Sequence, residues 1–129
     1  MNAVLERKGV EVKKQIRRME IWLGDLGKGV GCEQDGIRPL LIISNDKGNE
    51  YGPVVMVAPL TSQAKAKMPT HVPFKADELG LMSDSIGLFE QIRTIDKSRL
   101  LYKVAEVPAY REREIDRVVN IAATNLFLK

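Results

Sequence analysis

Scarcity is the first thing the sequence shows. The 129 residues include one cysteine, Cys32, and one histidine, His71. A lone cysteine forms no internal disulfide, and one cysteine plus one distant histidine gives no metal-ligand spacing. No EF-hand loop is present either, so no metal is expected. A nuclease that works with two histidines is excluded by count. Aromatics make up only 5% of the chain, which leaves few platforms for stacking on bases. No run of 18 apolar residues exists, so no membrane span is expected. The charged N-terminus is not followed by an apolar stretch, so it does not read as a secretory leader. The plain expectation is a cytoplasmic protein. Glycines 24, 27, 29, 31 and 36 match neither the P-loop nor the dinucleotide fingerprint, so no cofactor is expected. No internal repeat or low-complexity segment is visible.

What is present fits one folded domain. Hydrophobic residues are 44% and charged residues 29% of a 14.5 kDa chain. The net charge is +3, with a pI near 9.1. Residues 1–19 hold six Lys or Arg against Glu6 and Glu11, a net of +4. The remainder is near neutral, so overall basicity says little about nucleic-acid binding. The expected organisation is a basic N-terminal extension over residues 1–19 and a body over 20–129. Within the extension Val4, Leu5, Val12, Ile16 and Met19 show partial helical spacing. It reads as a solvated helix or arm, or as a basic arm touching nucleic acid.

In the body, strands are expected at 20–25, from Arg38 along RPLLIIS, at 54–60 and at 71–74. Residues 85–89 and 91–95 read as two more strands or one bent one. Asn45–Asn49 reads as a turn, 61–69 as a loop, and 96–99 as a turn or short helix. Ile115, Val118, Val119, Ala122 and Leu126 follow the stripe of an amphipathic helix, with Pro108 near its start. About six short strands and a terminal helix define an α+β, mainly β class: a small antiparallel barrel or curled sheet.

Chemistry gathers in two polar clusters at strand ends. Arg38 precedes Pro39 at the mouth of an apolar strand, where its backbone is restrained and its guanidinium can grip an anion. The bland alternative for Arg38 is a surface ion pair. Thr61, Ser62 and Gln63 follow the strand VVMVAPL and offer hydroxyl and amide groups. If both strand ends share a rim, they clamp one phosphate. Glu33, in the flexible loop before Arg38, is placed to orient it or to take a proton. Lys65 and Lys67 either track phosphates or lie on a solvated loop. Cys32 reads as a small loop residue, and His71 as structural or exposed.

These residues also carry a resemblance. EIWLGDLGKGVGCEQDGIRPLLIISND, VVMVAPLTSQAKAKMPTHV and DSIGLFEQIRTIDKSRL, spanning most of residues 20–100, resemble the MazF/PemK toxins of bacterial toxin–antitoxin pairs. The ordered set EQxGxRP, PLTSQ and EQIRTIDKxRL is the specific part. The resemblance implies an SH3-like barrel with a terminal helix, acting as a homodimer and held in check by a cognate antitoxin. It implies a metal-independent endoribonuclease that cuts single-stranded RNA, chiefly mRNA. Arg38 falls on the family's catalytic arginine and Thr61 on its catalytic threonine. Glu33 and Gln34 match loop residues of the RNA site, and Gln91 lies in the EQIRTID segment. Two positions depart from the pattern: Cys32 stands where serine is usual, and Asp35 where a small residue is usual.

The implied reaction uses the ribose 2′-OH as nucleophile and leaves a 2′,3′-cyclic phosphate and a 5′-OH. Two other readings stay open at this point. One is a gyrase poison of the CcdB type on the same barrel, although the chain end Asn125–Lys129 lacks the tryptophan expected there. The other is a barrel that binds RNA without cutting it.

Overall fold

The computed structural model describes residues 4–7, 10–63 and 66–125, the first two stretches of strand (4–7 and 10–13) as backbone only. Lys65 and Leu126 therefore lie outside the described residues.

Strands β1 (Val4–Arg7) and β2 (Val10–Lys13) form an antiparallel hairpin of their own. This corrects the helical reading of that segment. The physical reason lies in the sequence: VEVK alternates with β-branched valines, and a Lys-Gly pair separates it from VLER.

The main sheet contains β3 (Glu20–Asp25), β4 (Ile37–Ile42), β5 (Val54–Thr61), β6 (His71–Phe74), β7 (Ser85–Leu88), β8 (Arg93–Asp96) and β9 (Leu100–Glu106). Its order is β6-β7-β5-β4-β3-β9, with β8 also paired to β5. All the pairings are antiparallel. The ladder does not close, so the expected barrel is a curled, open sheet. Three helices accompany it: α1 (Asp46–Tyr51), α2 (Ala76–Leu79) and α3 (Glu112–Asn120), the last running on into a π turn over Ile121–Asn125. Asn45 was expected in a turn. Its side chain instead accepts from the Gly48 N–H at 2.8 Å and caps α1. Strand β9 and helix α2 were not anticipated, and β7 and β8 are separate strands divided by a 3₁₀ turn at Phe89–Gln91.

LLII and the VAPL half of VVMVAPL are continuous apolar runs because both faces of β4 from Leu40 and of β5 from Val57 are covered, while Val54 and Met56 are exposed. Leu41, Ile43, Ala58 and Leu60 pack with Phe74, Phe89, Ile115 and Val118 on one face. Leu40, Ile42, Val55 and Val57 pack with Ile16, Trp22, Leu26 and Leu100 on the other. The two sets alternate residue by residue, as a strand requires. Helix α3 covers the first face through Ile115 and Val118, each burial contributing about 1.5–3 kcal/mol. Val119 and Ala122 pack beside them.

Residues ahead of β3 are also bound to the body. Ile16 and Met19 are buried. Met19 donates its N–H to the Ile42 carbonyl (2.9 Å), and its own carbonyl accepts from the Val107 N–H (2.8 Å). The Arg18 guanidinium bridges Glu112 and Asp116 on α3 and donates from Nε to the Ile43 carbonyl. Among the described residues no helix is long and apolar enough to cross a membrane.

Because Ile115 is fully buried between α3 and the sheet, Ile115→Ala is expected to cost about 2–5 kcal/mol of stability. Urea unfolding checks this; a midpoint unchanged from the parent would contradict the packing described.

Candidate active site

The site is built on the β3–β4 hairpin and the ends of β4 and β5. The hairpin loop is closed at its base by the Leu26 N–H on the Gly36 carbonyl (2.9 Å) and the Gly36 N–H on the Gly27 carbonyl (2.8 Å). Gly27 and Gly36 both take positive φ there, at 74° and 71°, which a side chain would resist. Inside the loop, Glu33 Oε1 accepts from the Val30 N–H (2.7 Å) and Asp35 Oδ2 from the Gly29 N–H (3.3 Å). A stretch that reads as merely flexible thus has an internal bond pattern.

Gln91 ties this loop to the other side of the sheet. Its Oε1 accepts from the Gln34 N–H at 2.7 Å, and its Nε2 donates to the Cys32 carbonyl at 3.0 Å. Gln34 in turn holds Arg38: its Oε1 accepts from the guanidinium Nη1, while the Asp35 carbonyl accepts from Nε at 2.8 Å. Arg38 is half-buried and makes no ion pair among the described residues. Glu33 does not contact it in this arrangement; the orienting groups are Gln34 and the main chain of Asp35.

Register brings the second cluster to the first. β4 and β5 pair Leu40 with Pro59, Leu41 with Ala58 and Ile42 with Val57. The paired ladder ends at Leu40 and Pro59; extrapolated two positions further, its register would bring Arg38 across from Thr61, which itself pairs with Ile86 of β7. Strand parity puts both on the face that carries Leu40 and Val57. On the other side Arg38 pairs with Gly24, which presents no side chain to crowd it. Thr61 is buried, and its Oγ1 accepts from the Gln63 N–H at 3.2 Å, leaving the hydroxyl proton to be donated. Ser62, Gln63 and Lys67 follow as exposed residues.

An open groove of about 550 Å³ runs beside the β3–β4 loop. One wall is the loop, through Lys28, Val30, Glu33 and Gln34; the other is Glu90–Arg93, with Leu26 and Pro59 completing it. Arg38 meets the groove through Gln34. Among the predicted site residues, the groove unites Glu33, Gln34 and Gln91, while Arg38, Thr61, Ser62, Gln63 and Lys67 lie outside its lining.

Sequence reasoning missed Lys28, Glu90 and Arg93. Arg93 donates from Nη1 to the Leu26 carbonyl (3.4 Å) at the loop base. Glu90 is bonded to both Thr70 and His71, at 2.8 and 3.0 Å. The available signal was the charged FEQIR interruption between two apolar runs, which breaks one strand into two. No cluster of three His, Cys, Asp or Glu side chains suited to a metal exists among the described residues.

The molecule is thus a small, curled antiparallel sheet protein with a hydrogen-bonded guanidinium at a strand start and an open groove beside the adjoining loop. A family model described as PemK-like, MazF-like toxin of type II toxin-antitoxin systems matches residues 17–123. The endoribonuclease MazF of Staphylococcus saprophyticus is 44% identical over 108 residues, covering 83% of this chain and 90% of that protein. A solved MazF structure from Deinococcus radiodurans (form I) superposes with a TM-score of 0.71 at 25% identity, covering 84% of this chain and 96% of that one. A mycobacterial endoribonuclease solved with its cognate antitoxin shares the fold, with a TM-score of 0.68 at 24% identity over 84% and 94%. The chain belongs to the PemK/MazF family of toxins of type II toxin–antitoxin systems.

Gln91→Ala removes both side-chain ties to the loop. The Gln34 amide is expected to exchange with solvent about fivefold faster, since a part-buried hydrogen bond of ~1 kcal/mol is lost there. Hydrogen exchange followed by NMR checks it; an unchanged Gln34 rate would show that the loop is held by other means.

Proposed function

We propose that this toxin is an endoribonuclease that cuts single-stranded RNA through attack of the ribose 2′-OH on the adjacent phosphate. The observation that carries the reading is the β4–β5 register, paired through Leu40 and Pro59, whose continuation would bring Arg38 and Thr61 together on one face. The 44% identical relative named as an endoribonuclease supports it.

The roles follow from charge and geometry. In-line attack gathers negative charge on the phosphoryl oxygens, and groups already in position stabilise it without reorganising. Arg38, fixed by Gln34 and Asp35, is the cation. Thr61 donates its hydroxyl proton. An arginine stays protonated at ordinary pH and makes a poor base. Glu33, exposed on the groove, is therefore assigned as the proton acceptor; only its Oε1 is engaged, by Val30. The products are a 2′,3′-cyclic phosphate and a 5′-OH.

Around this centre, Gln34 and Gln91 shape the RNA-binding loop. Ser62, Gln63 and Lys67, together with Lys65, track the strand beyond Thr61. The working unit is a homodimer in the cytoplasm. Its partner is a cognate antitoxin, a reading supported by the antitoxin complex solved for a mycobacterial member of the fold.

The test is a long RNA incubated with chelator-treated protein, its new ends mapped by primer extension. Discrete cuts ending in 5′-OH are expected. Arg38→Ala and Thr61→Ala are each expected to lower the cleavage rate by about 10²–10³ while leaving the fold intact. Undiminished cleavage by Arg38→Ala would sink the assignment. Bound but uncut RNA would favour the passive binder, and no effect on RNA would favour the gyrase poison.

A further inference from the structure

We infer that Glu90 reads one base of the RNA and selects a nucleotide that presents an exocyclic amino group, an inference that rests on the ribonuclease reading above. Glu90 lines the groove wall next to Gln91. Both its carboxylate oxygens are fixed from behind. The Thr70 hydroxyl donates to Oε1 at 2.8 Å, and His71 Nε2 faces Oε2 at 3.0 Å. Thr70 is fully buried, and the His71 side chain is only 7% exposed. His71 Nδ1 is buried with no hydrogen-bond partner among the described residues. The imidazole therefore makes its polar contact through Nε2 alone. In the neutral ring that matches Nε2–H donating to the carboxylate, with an unprotonated Nδ1 left over.

A carboxylate offers about four acceptor positions. Two are taken by Thr70 and His71; the Glu90 side chain keeps 21% exposure and lines the groove, and the inference assigns the remaining positions to the base. In a groove that takes a polyanion, this group is repelled by phosphate and suits only a donor. The donors RNA bases offer are their edge N–H groups. Cytosine, adenine and guanine each carry an amino group, and a carboxylate accepts from such a group well. Uracil instead presents two carbonyls flanking a single N–H, so its edge brings lone pairs against the carboxylate. No aromatic residue lines the groove, so stacking does not dominate the choice there. Thr70 and His71 act as positioning residues, since they touch Glu90 and do not line the groove.

The experiment removes the amino group from the substrate, so it does not depend on a variant folding. An oligoribonucleotide carrying the mapped cleavage motif is remade with one amino group deleted at a time: purine riboside for adenosine, inosine for guanosine, pyrimidin-2-one riboside for cytidine. With the wild-type protein, one such deletion is expected to lower kcat/KM by roughly 10- to 100-fold, the usual worth of a hydrogen bond to a charged group. Glu90→Ala is expected to abolish that penalty, and the isosteric Glu90→Gln to shrink it by about fivefold or more. His71→Ala is expected to reduce the penalty while sparing the cut on a substrate already lacking the amino group. If wild-type protein cuts RNA but no amino deletion matters at any position, or the penalty persists in Glu90→Ala and Glu90→Gln alike, the inference fails and the ribonuclease reading stands. If wild-type protein leaves RNA intact, the ribonuclease reading itself fails.

Discussion

The register between β4 and β5 is the constraint on which the rest depends. Leu40, Leu41 and Ile42 face Pro59, Ala58 and Val57, and every one of these six is buried. A slip by one residue would turn the slipped strand over, sending its side chains to the wrong core. The apolar packing therefore locks the alignment, and under the proposed function its continuation brings Arg38 toward Thr61, so the hydrophobic core and the proposed chemistry would rest on the same interaction. Gly24 on the far side of β4 belongs to it too: a Cβ there would come within 2.6 Å of Leu40.

The groove has a topological origin. Strand β5 has eight residues, and its edge opposite β4 is divided between two partners. β8 pairs with Val54–Val57, and β7 with Leu60 and Thr61. Ala58 and Pro59 fall between them, and the chain crosses this gap in the 3₁₀ turn Phe89–Gln91. Phe89 turns into the core, while Glu90 and Gln91 are left on the groove. Pro59 has no N–H to offer a further strand, which suits the position where pairing is interrupted. Gln91 then bonds the loop that carries Gln34, and Gln34 bonds Arg38. The two walls of the groove are in this way mechanically joined through polar side chains.

Much of this was legible in the sequence, and the pattern of success is physical. β3 and β6 were expected with their observed bounds, β5 to within one residue and β4 to within two, because compact runs bounded by glycine, proline or polar clusters leave little choice. The helix stripe at Ile115 and Val118 was equally plain. β9 was missed because LLYKVAE, an edge strand with largely exposed residues, lacks a strong alternation. The N-terminal hairpin was missed because two four-residue strands are too short to outweigh a partial helical spacing. Arg38, Thr61 and Glu33 could be singled out from strand-end position and residue type. Glu90 could not: its importance comes from Thr70 and His71, about twenty residues away and placed beside it only by the fold.

The central claim is that Arg38 and Thr61 grip one scissile phosphate across the β4–β5 register. It is tested most directly by solving the complex with an oligoribonucleotide whose cleavage-site ribose is 2′-deoxy, which binds but supplies no nucleophile. The account expects one phosphate with oxygens at hydrogen-bond distance, about 2.7–3.2 Å, from both the Arg38 guanidinium and the Thr61 hydroxyl. A scissile phosphate lying away from both, with either group facing solvent, would contradict it.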